Sequence, residues 1–272
     1  MPHPAHVIEA QALAAVVGTP TCPHIVDVRR QQAFQTADSM IAGAVWRDHR
    51  LVEDWHDAMA GDIVVYCVHG QQVSQSVMSL LRSRGRSVRY LAGGFDAYVA
   101  AGGTTVAKAD DLPRADTVPT RWVTRERPKI DRMACPWFIR RFIDPVAEIL
   151  YVEADWVREV AREAGAVPFD IPDTDFSHDG PFCSFDAFLS RYGIGDKALL
   201  HLARIVRGAD TACLDLEPEC AGLKAISLGL SSAHDDDHVT LAHAMVLYDA
   251  LYAWTRNAAD ETHNWPARSQ AG

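Results

Sequence analysis

Cysteine is sparse and unpaired in this sequence. The six cysteines stand at positions 22, 67, 135, 183, 213 and 220 of 272 residues, and no two form a Cys-x-x-Cys pair. That spacing gives no disulfide framework and points to a reducing cytoplasm, with thiols that are reactive or buried. Long apolar runs are missing too. Nothing approaches the roughly 18 to 20 residues that a membrane-spanning helix requires. The opening Met1-Pro2-His3-Pro4-Ala5-His6 has neither the basic nor the apolar stretch of an export signal. Positive charge is short: 26 Lys and Arg against 36 Asp and Glu give a net charge of −10. Such a surface repels phosphate, so neither a nucleic-acid nor a membrane partner is expected.

What is present is globular. Hydrophobic residues make up 48% of the chain, and its length suits two domains better than one. In the first half, short β-branched runs (25–29, 44–47, 63–67 and 88–91) alternate with helix-period stretches. That alternation predicts an α/β domain, a parallel sheet with helices on both faces. Residues 108–120 turn polar, with Asp110-Asp111, Pro113 and Pro119, and read as a linker separable near residue 115. The second half is mainly α-helical. Its longest pattern covers 235–254, with Asp235 or Asp236 placed to cap it. The expected division is 1–107, a linker 108–120, 121–256 and a tail 257–272.

Cys67 is the most informative residue. It closes the run Ile63-Val64-Val65-Tyr66 and precedes Val68-His69-Gly70-Gln71-Gln72-Val73-Ser74, after which a helical pattern begins. Backbone N–H groups converge where a strand end meets a helix start. The helix dipole favours a thiolate there, and the loop can cradle an anion. The segment 67–74 resembles the active-site loop of single-domain rhodaneses, sulfurtransferases whose cysteine carries a persulfide. Ile25-Val26-Asp27-Val28-Arg29 resembles that family's Asp-x-Arg strand, Ile41-Ala42-Gly43-Ala44-Val45 its Gly-Ala segment, and Tyr90-Leu91-Ala92-Gly93-Gly94-Phe95 its closing strand and Gly-Gly turn. Ile41 stands where the family often has histidine, and the loop lacks the arginine that some rhodaneses carry. The resemblance covers residues 7–105. It implies Cys67 as the catalytic nucleophile and His69, Gly70, Gln71, Gln72, Ser74 and Arg29 as substrate-binding residues. The partners implied are a small sulfur donor and a thiol acceptor. Cysteine phosphatases on the same scaffold need an arginine six residues after the cysteine. Val73 occupies that place and no arginine appears before Arg82, which disfavours phosphatase chemistry.

In the second half, the block from Lys129 to Pro145 resembles the opening of the chromate-resistance protein C-terminal domain. Ser177-His178, Cys183-Ser184-Phe185-Asp186 and Tyr248-Asp249-Ala250-Leu251-Tyr252-Ala253-Trp254 continue the likeness, over 122–256. Family members tied to chromate-responsive regulation usually carry a DNA-binding half in place of the rhodanese. Two sites are open. Arg132 and Arg140, about two turns apart on a helix starting near Asp131 with Pro136 in its first turn, would suit an oxyanion such as chromate. His178, Cys183, Asp236 and His238 would suit a divalent transition metal, zinc, iron or manganese. Cys135, near arginines and a helix start, could accept sulfur or redox equivalents. A sulfurtransferase is the leading reading. The alternatives are an oxyanion-responsive sensory or detoxification protein, and a metal-binding redox protein.

Overall fold

A computed structural model describes residues 6–116 and 118–261. The chain order begins β1 (Val7–Ile8), α1 (Ala10–Val16), β2 (His24–Asp27), α2 (Gln31–Thr36), β3 (Ser39–Ile41) and β4 (Ala44–Trp46). It continues with α3 (Val52–Trp55), β5 (Ile63–Tyr66), α4 (Gln72–Ser83), β6 (Val88–Leu91), α5 (Gly94–Ala100) and β7 (Thr105–Ala107). The second half holds β8 (Arg121–Arg125), α6 (Ile130–Phe138), β9 (Glu148–Val152), α7 (Val157–Ala164) and β10 (Val167–Pro168). Four helices finish it: α8 (Ser184–Arg191), α9 (Lys197–Asp210), α10 (Cys220–Ala233) and α11 (Asp237–Asn257).

The N-terminal half is the expected α/β fold. Its five-stranded sheet runs β1-β6-β5-β2-β4, all parallel. All four residues of β5 are buried, as a strand covered on both faces demands. The C-terminal half is mostly helical but holds a small parallel sheet, β10-β8-β9.

One local expectation changes. Pro136 lies inside α6, not in its first turn. Proline lacks the N–H that would bond to the carbonyl four residues back. That carbonyl, of Arg132, accepts instead from the Tyr151 hydroxyl at 3.1 Å. The helix then loosens into a π turn, Ile139–Ile143, closed by the Asp144 N–H on the Ile139 carbonyl at 2.8 Å. Farther on, α9 runs through Gly208 to Asp210, where a side chain at 208 would collide with the sulfur of Cys220. The tail expected over 257–272 lies outside the described residues from 262 onward.

The joint is the larger correction. Leu112 and Ala115 are buried. Pro113 accepts a 2.5 Å bond from the Tyr192 hydroxyl, and Asp111 pairs with Arg191 at 2.6 Å. One hydrophobic cluster runs from Leu13, Val17 and Tyr98 to Trp137, Phe142 and Tyr252. Gly18 faces the Phe142 ring so closely that a β-carbon could not fit, and the Gly43 N–H donates to the Phe142 carbonyl at 2.6 Å. The guanidinium of Arg256 binds carbonyls of Ala14, Ala15 and Val17. The two halves share a core, and Leu112 and Ala115 pack at the joint.

Phe142→Ala should therefore cost about 3–5 kcal/mol, the usual loss for a buried phenylalanine. In urea, far-ultraviolet circular dichroism and tryptophan fluorescence should report one coincident transition, shifted together in the variant. Proteolysis within 108–120 that leaves two independently folded fragments would contradict a shared core.

Candidate functional site

Cys67 follows β5 directly. Its thiol is 7% exposed and lies 3.3 Å from the Ser74 hydroxyl. The intervening loop turns through Gly70, at φ +64°. The Gln75 amide holds the loop by donating to the Gly70 carbonyl at 3.1 Å. Gly94 presses against the same loop. A β-carbon there would overlap the carbonyls of Cys67 and Val68 and the Gly70 nitrogen. The start of α5 also anchors it: the Phe95 N–H donates to the Cys67 carbonyl at 2.9 Å, and the Asp96 N–H to the Val68 carbonyl at 3.2 Å. Helix α4 begins at Gln72 with no side-chain cap from Gln71, so the N–H groups of its first turn lie next to the thiol. A cavity of about 260 Å³ opens over Cys67, lined by Arg29, Arg30, His69, Gln71 and Gln72 among others.

Arg29 is buried and bound to Asp27 by a two-point ion pair, with contacts of 2.6 and 2.8 Å. It also donates to the Ser39 carbonyl at 3.1 Å. The Tyr66 hydroxyl adds a 2.8 Å bond to Asp27, and the guanidinium sits 4.6 Å from the centre of the Phe95 ring. Burial alone would make this cation easier to neutralise, but the bond to Asp27 together with the charges and bond of Asp27 and Tyr66 outweighs that. Arg29 thus braces the strand ends beneath the loop while its stem lines the cavity.

The second site is built from four separate elements. Asp131 comes from the first turn of α6 and Asp210 from the last residue of α9. Asp170 follows β10, and His178 comes from the loop before α8. The His178 Nε2 atom lies 3.3 Å from Asp131, 3.6 Å from Asp170 and 3.2 Å from Asp210. Asp131 and Asp170 are buried. Asp170 adopts φ +54°, a left-handed conformation that non-glycine residues adopt at a cost. Its Oδ2 meets Arg125 at 2.8 Å and Arg132 at 3.2 Å, and its Oδ1 accepts from the Ser184 hydroxyl at 2.9 Å. The Ser184 N–H donates to Asp131 at 2.6 Å. Bonds to Asp131 and Asp170 push the His178 pKa up to about 10. Burial, and then the neighbouring Asp131 and Asp170, push Asp210 up to about 7. A cavity of about 370 Å³ opens beside the cluster, bordered by Arg125, Lys129, Arg132 and Lys224.

The family model described as "Rhodanese-like domain" matches residues 9–101, and that described as "ChrB, C-terminal domain" matches 122–255. The chain joins a rhodanese-like domain to a ChrB C-terminal domain. Protein ChrB of Cupriavidus metallidurans is 33% identical over 150 residues, 53% of this chain and 44% of that protein. The chain thus covers less than half of that relative's length. A rhodanese-related protein from Thermoplasma volcanium is similar over 38% of this chain and 99% of its own, at 18% identity and a TM-score of 0.34. A rhodanese-like domain protein from Staphylococcus aureus is similar over 34% and 90%, at 22% identity and a TM-score of 0.31.

In the rhodanese-like domain the structure gathers Cys67, His69, Gln71, Gln72 and Arg29 around one cavity. Ser74 sits at the thiol and Gly70 at the turn. His69 leans away onto Asp96, at 2.9 Å.

In the ChrB C-terminal domain the expected groupings change. Arg132 lines the cavity, but its guanidinium donates to the carbonyls of Arg125 and Glu126. Arg140 donates to the Ala147 carbonyl from within the π turn, and that turn rotates it off the face it would share with Arg132 on a continuous α-helix. The two arginines form no joint oxyanion clamp: Arg132 lines the cavity with Lys224 and three carboxylates, and Arg140 does not line it.

The metal set is regrouped as well. His178 meets Asp131, Asp170 and Asp210, not Asp236 and His238. Asp236 caps α11 by accepting from the His238 and Val239 N–H groups, and the His238 ring packs edge-on against Tyr151 at 5.6 Å. Cys183 caps α8, reciprocally with Asp186. Burial pushes its thiol far up, and does the same to Cys135, which removes Cys135 as a reactive thiol. Sequence reasoning missed Asp131 and Asp170 as partners of His178, and it raised Asp210, with Glu217, only as a contributor that it could not place. The missed signal was an aspartate in the first turn of a buried helix, Asp131, whose carboxylate had no partner within reach in sequence.

Asp27→Asn breaks the buried pair and leaves Arg29 uncompensated. It should lower stability by about 3–5 kcal/mol, read as the urea midpoint. A loss near zero would mean that Arg29 finds its counter-charge elsewhere.

Proposed function

We propose that the rhodanese-like domain is a sulfurtransferase with Cys67 as its persulfide carrier. The observation that carries the reading is the position of the thiol: at a strand end, beside the start of α4, at the floor of an open cavity. In the first half-reaction the Cys67 thiolate attacks the sulfane sulfur of a donor such as thiosulfate. A new S–S bond forms, the donor's S–S bond breaks, and sulfite leaves with the bonding pair. In the second, a thiolate or cyanide attacks the outer sulfur and Cys67 departs as thiolate. No net oxidation of the protein occurs. The loop amides and the α4 dipole favour the anionic sulfur at both stages, and Ser74 can donate to it.

The domain pair is consistent with a chromate-resistance-associated protein, and a cytoplasmic setting agrees with six free cysteines. Among the described residues no helix is long and apolar enough to cross a membrane. Direct chromate capture by Arg132 and Arg140 receives no support from their positions.

Purified chain should form thiocyanate from thiosulfate and cyanide, and incubation with thiosulfate alone should add one sulfur atom to its mass. Cys67→Ser should reduce both to background with an unchanged circular dichroism spectrum, since a hydroxyl cannot carry persulfide. Turnover retained in Cys67→Ser would remove Cys67 from the mechanism, and inactivity of the wild-type chain with all sulfane donors would sink the reading.

A further inference from the structure

We propose that Asp131, Asp170 and His178, with Asp210 beside His178, form a binding site for one divalent transition-metal ion: manganese, iron(II) or zinc. The site lies in the ChrB C-terminal domain and stands independently of sulfur transfer at Cys67.

Geometry is the first support. Ligand atoms about 2.0–2.2 Å from an ion lie roughly 3.0 to 3.6 Å from one another at octahedral or tetrahedral angles. The His178 nitrogen stands 3.2, 3.3 and 3.6 Å from oxygens of three different aspartates. A protonated imidazole explains this less well. Its single Nε2–H can point at one oxygen, and charge-assisted bonds close to about 2.7–2.9 Å. The pair of Arg141 and Asp249 reaches 2.7 Å, whereas no contact of His178 does. The ligand atoms of Asp131, Asp170 and His178 all lie within 4.8 Å of one another, so one ion among them can meet all three, with Asp210 next to His178.

Burial is the second and independent support. Asp131 is 2% exposed, and its Oδ1 is a buried atom with no hydrogen-bond partner among the described residues. Its Oδ2 faces both His178 and the Ser184 N–H. A buried carboxylate oxygen left without a partner is costly, and an ion at this point supplies one.

The surroundings are those of a ligand set held in place from outside. The Ser184 hydroxyl and Arg125 fix the two oxygens of Asp170, and the Ser184 N–H fixes Asp131. Such outer bonds orient ligands and tune affinity. The donors are one imidazole and two carboxylates, with the Asp210 carboxylate beside them, a hard-to-borderline mixture that matches manganese, iron(II) and zinc better than copper(I). The adjoining 370 Å³ cavity gives the ion a route in and leaves one side of it open.

The test uses the full chain, purified without chelator or a metal-binding tag. Metal analysis should find about one manganese, iron or zinc per chain. After the metal is stripped, titration with Mn²⁺, Fe²⁺ (anaerobically) or Zn²⁺ should show one saturable site and a rise in melting temperature. His178→Gln, at a half-exposed position that should tolerate the change, should lose this site while keeping the wild-type circular dichroism spectrum. Ser184→Ala, which touches the ligands only, should weaken binding by about tenfold to hundredfold. Asp236→Asn and His238→Gln should bind as wild type. No saturable binding of any of the three ions overturns the proposal. So does binding that survives in His178→Gln, or that disappears in Asp236→Asn or His238→Gln, since the ion would then sit elsewhere.

Discussion

Everything in this molecule hangs on the burial of Phe142 against the other half of the chain. Its ring packs on Phe138 at 5.2 Å, on Tyr252 at 5.5 Å and on Trp137 at 5.6 Å, and its far side meets the bare backbone of Gly18. Each aromatic buries about 150–250 Å², so this contact outweighs any single polar bond across the joint. It also fixes direction: the Gly43 N–H reaches the carbonyl of Phe142 itself. Two families of fold become one folded body across a joint in which this ring is central.

The same segment is responsible for the acidic cluster. Helix α6 must present Asp131 at its start and Phe142 just beyond its end, toward different neighbours. A regular α-helix would fix the angle between those positions. Pro136 and the π turn after it relax that constraint. The carbonyl that Pro136 leaves without a helical donor is covered by Tyr151, which the adjacent strand β9 supplies. The irregularity is therefore satisfied locally, and it lets one short segment serve the shared core at one end and a buried carboxylate at the other.

The N-terminal half was legible in the sequence because its signals are local. Strand ends, the loop 67–74 and the Gly93-Gly94 turn follow from period, glycine and dipole arguments, and the structure places these pieces together. The buried pair of Asp27 and Arg29 was legible only as a motif, and its bracing role needed the Tyr66 hydroxyl from 39 residues away. In the C-terminal half, His178 was singled out from its own loop. Its partners lie 47 residues before it (Asp131) and 32 after it (Asp210), and no periodicity ties those positions together. Asp236 and His238 drew attention as an acidic run, yet such runs at helix starts cap the helix, and Asp236 does so. The linker was misread because polar residues with two prolines look unpacked, whereas Leu112 and Ala115 between them are the residues that bury.

The two sites have opposite electrostatic characters, and the shared core decides how they can influence each other. The Cys67 cavity offers a helix start and Arg30 to an anionic sulfur group, while the cluster around His178 offers three carboxylates. Allosteric coupling requires two arrangements that each ligand distinguishes. The aromatic seam at Phe142 is close-packed on every side, and a close-packed interface resists continuous deformation. Linkage through folding remains available. The shared core predicts that both halves unfold together, and a ligand bound at either site would then stabilise the whole chain by RT ln(1 + [L]/Kd), about 2.7 kcal/mol at a hundredfold excess over Kd. Occupancy at one site then protects the other against global unfolding without altering its shape.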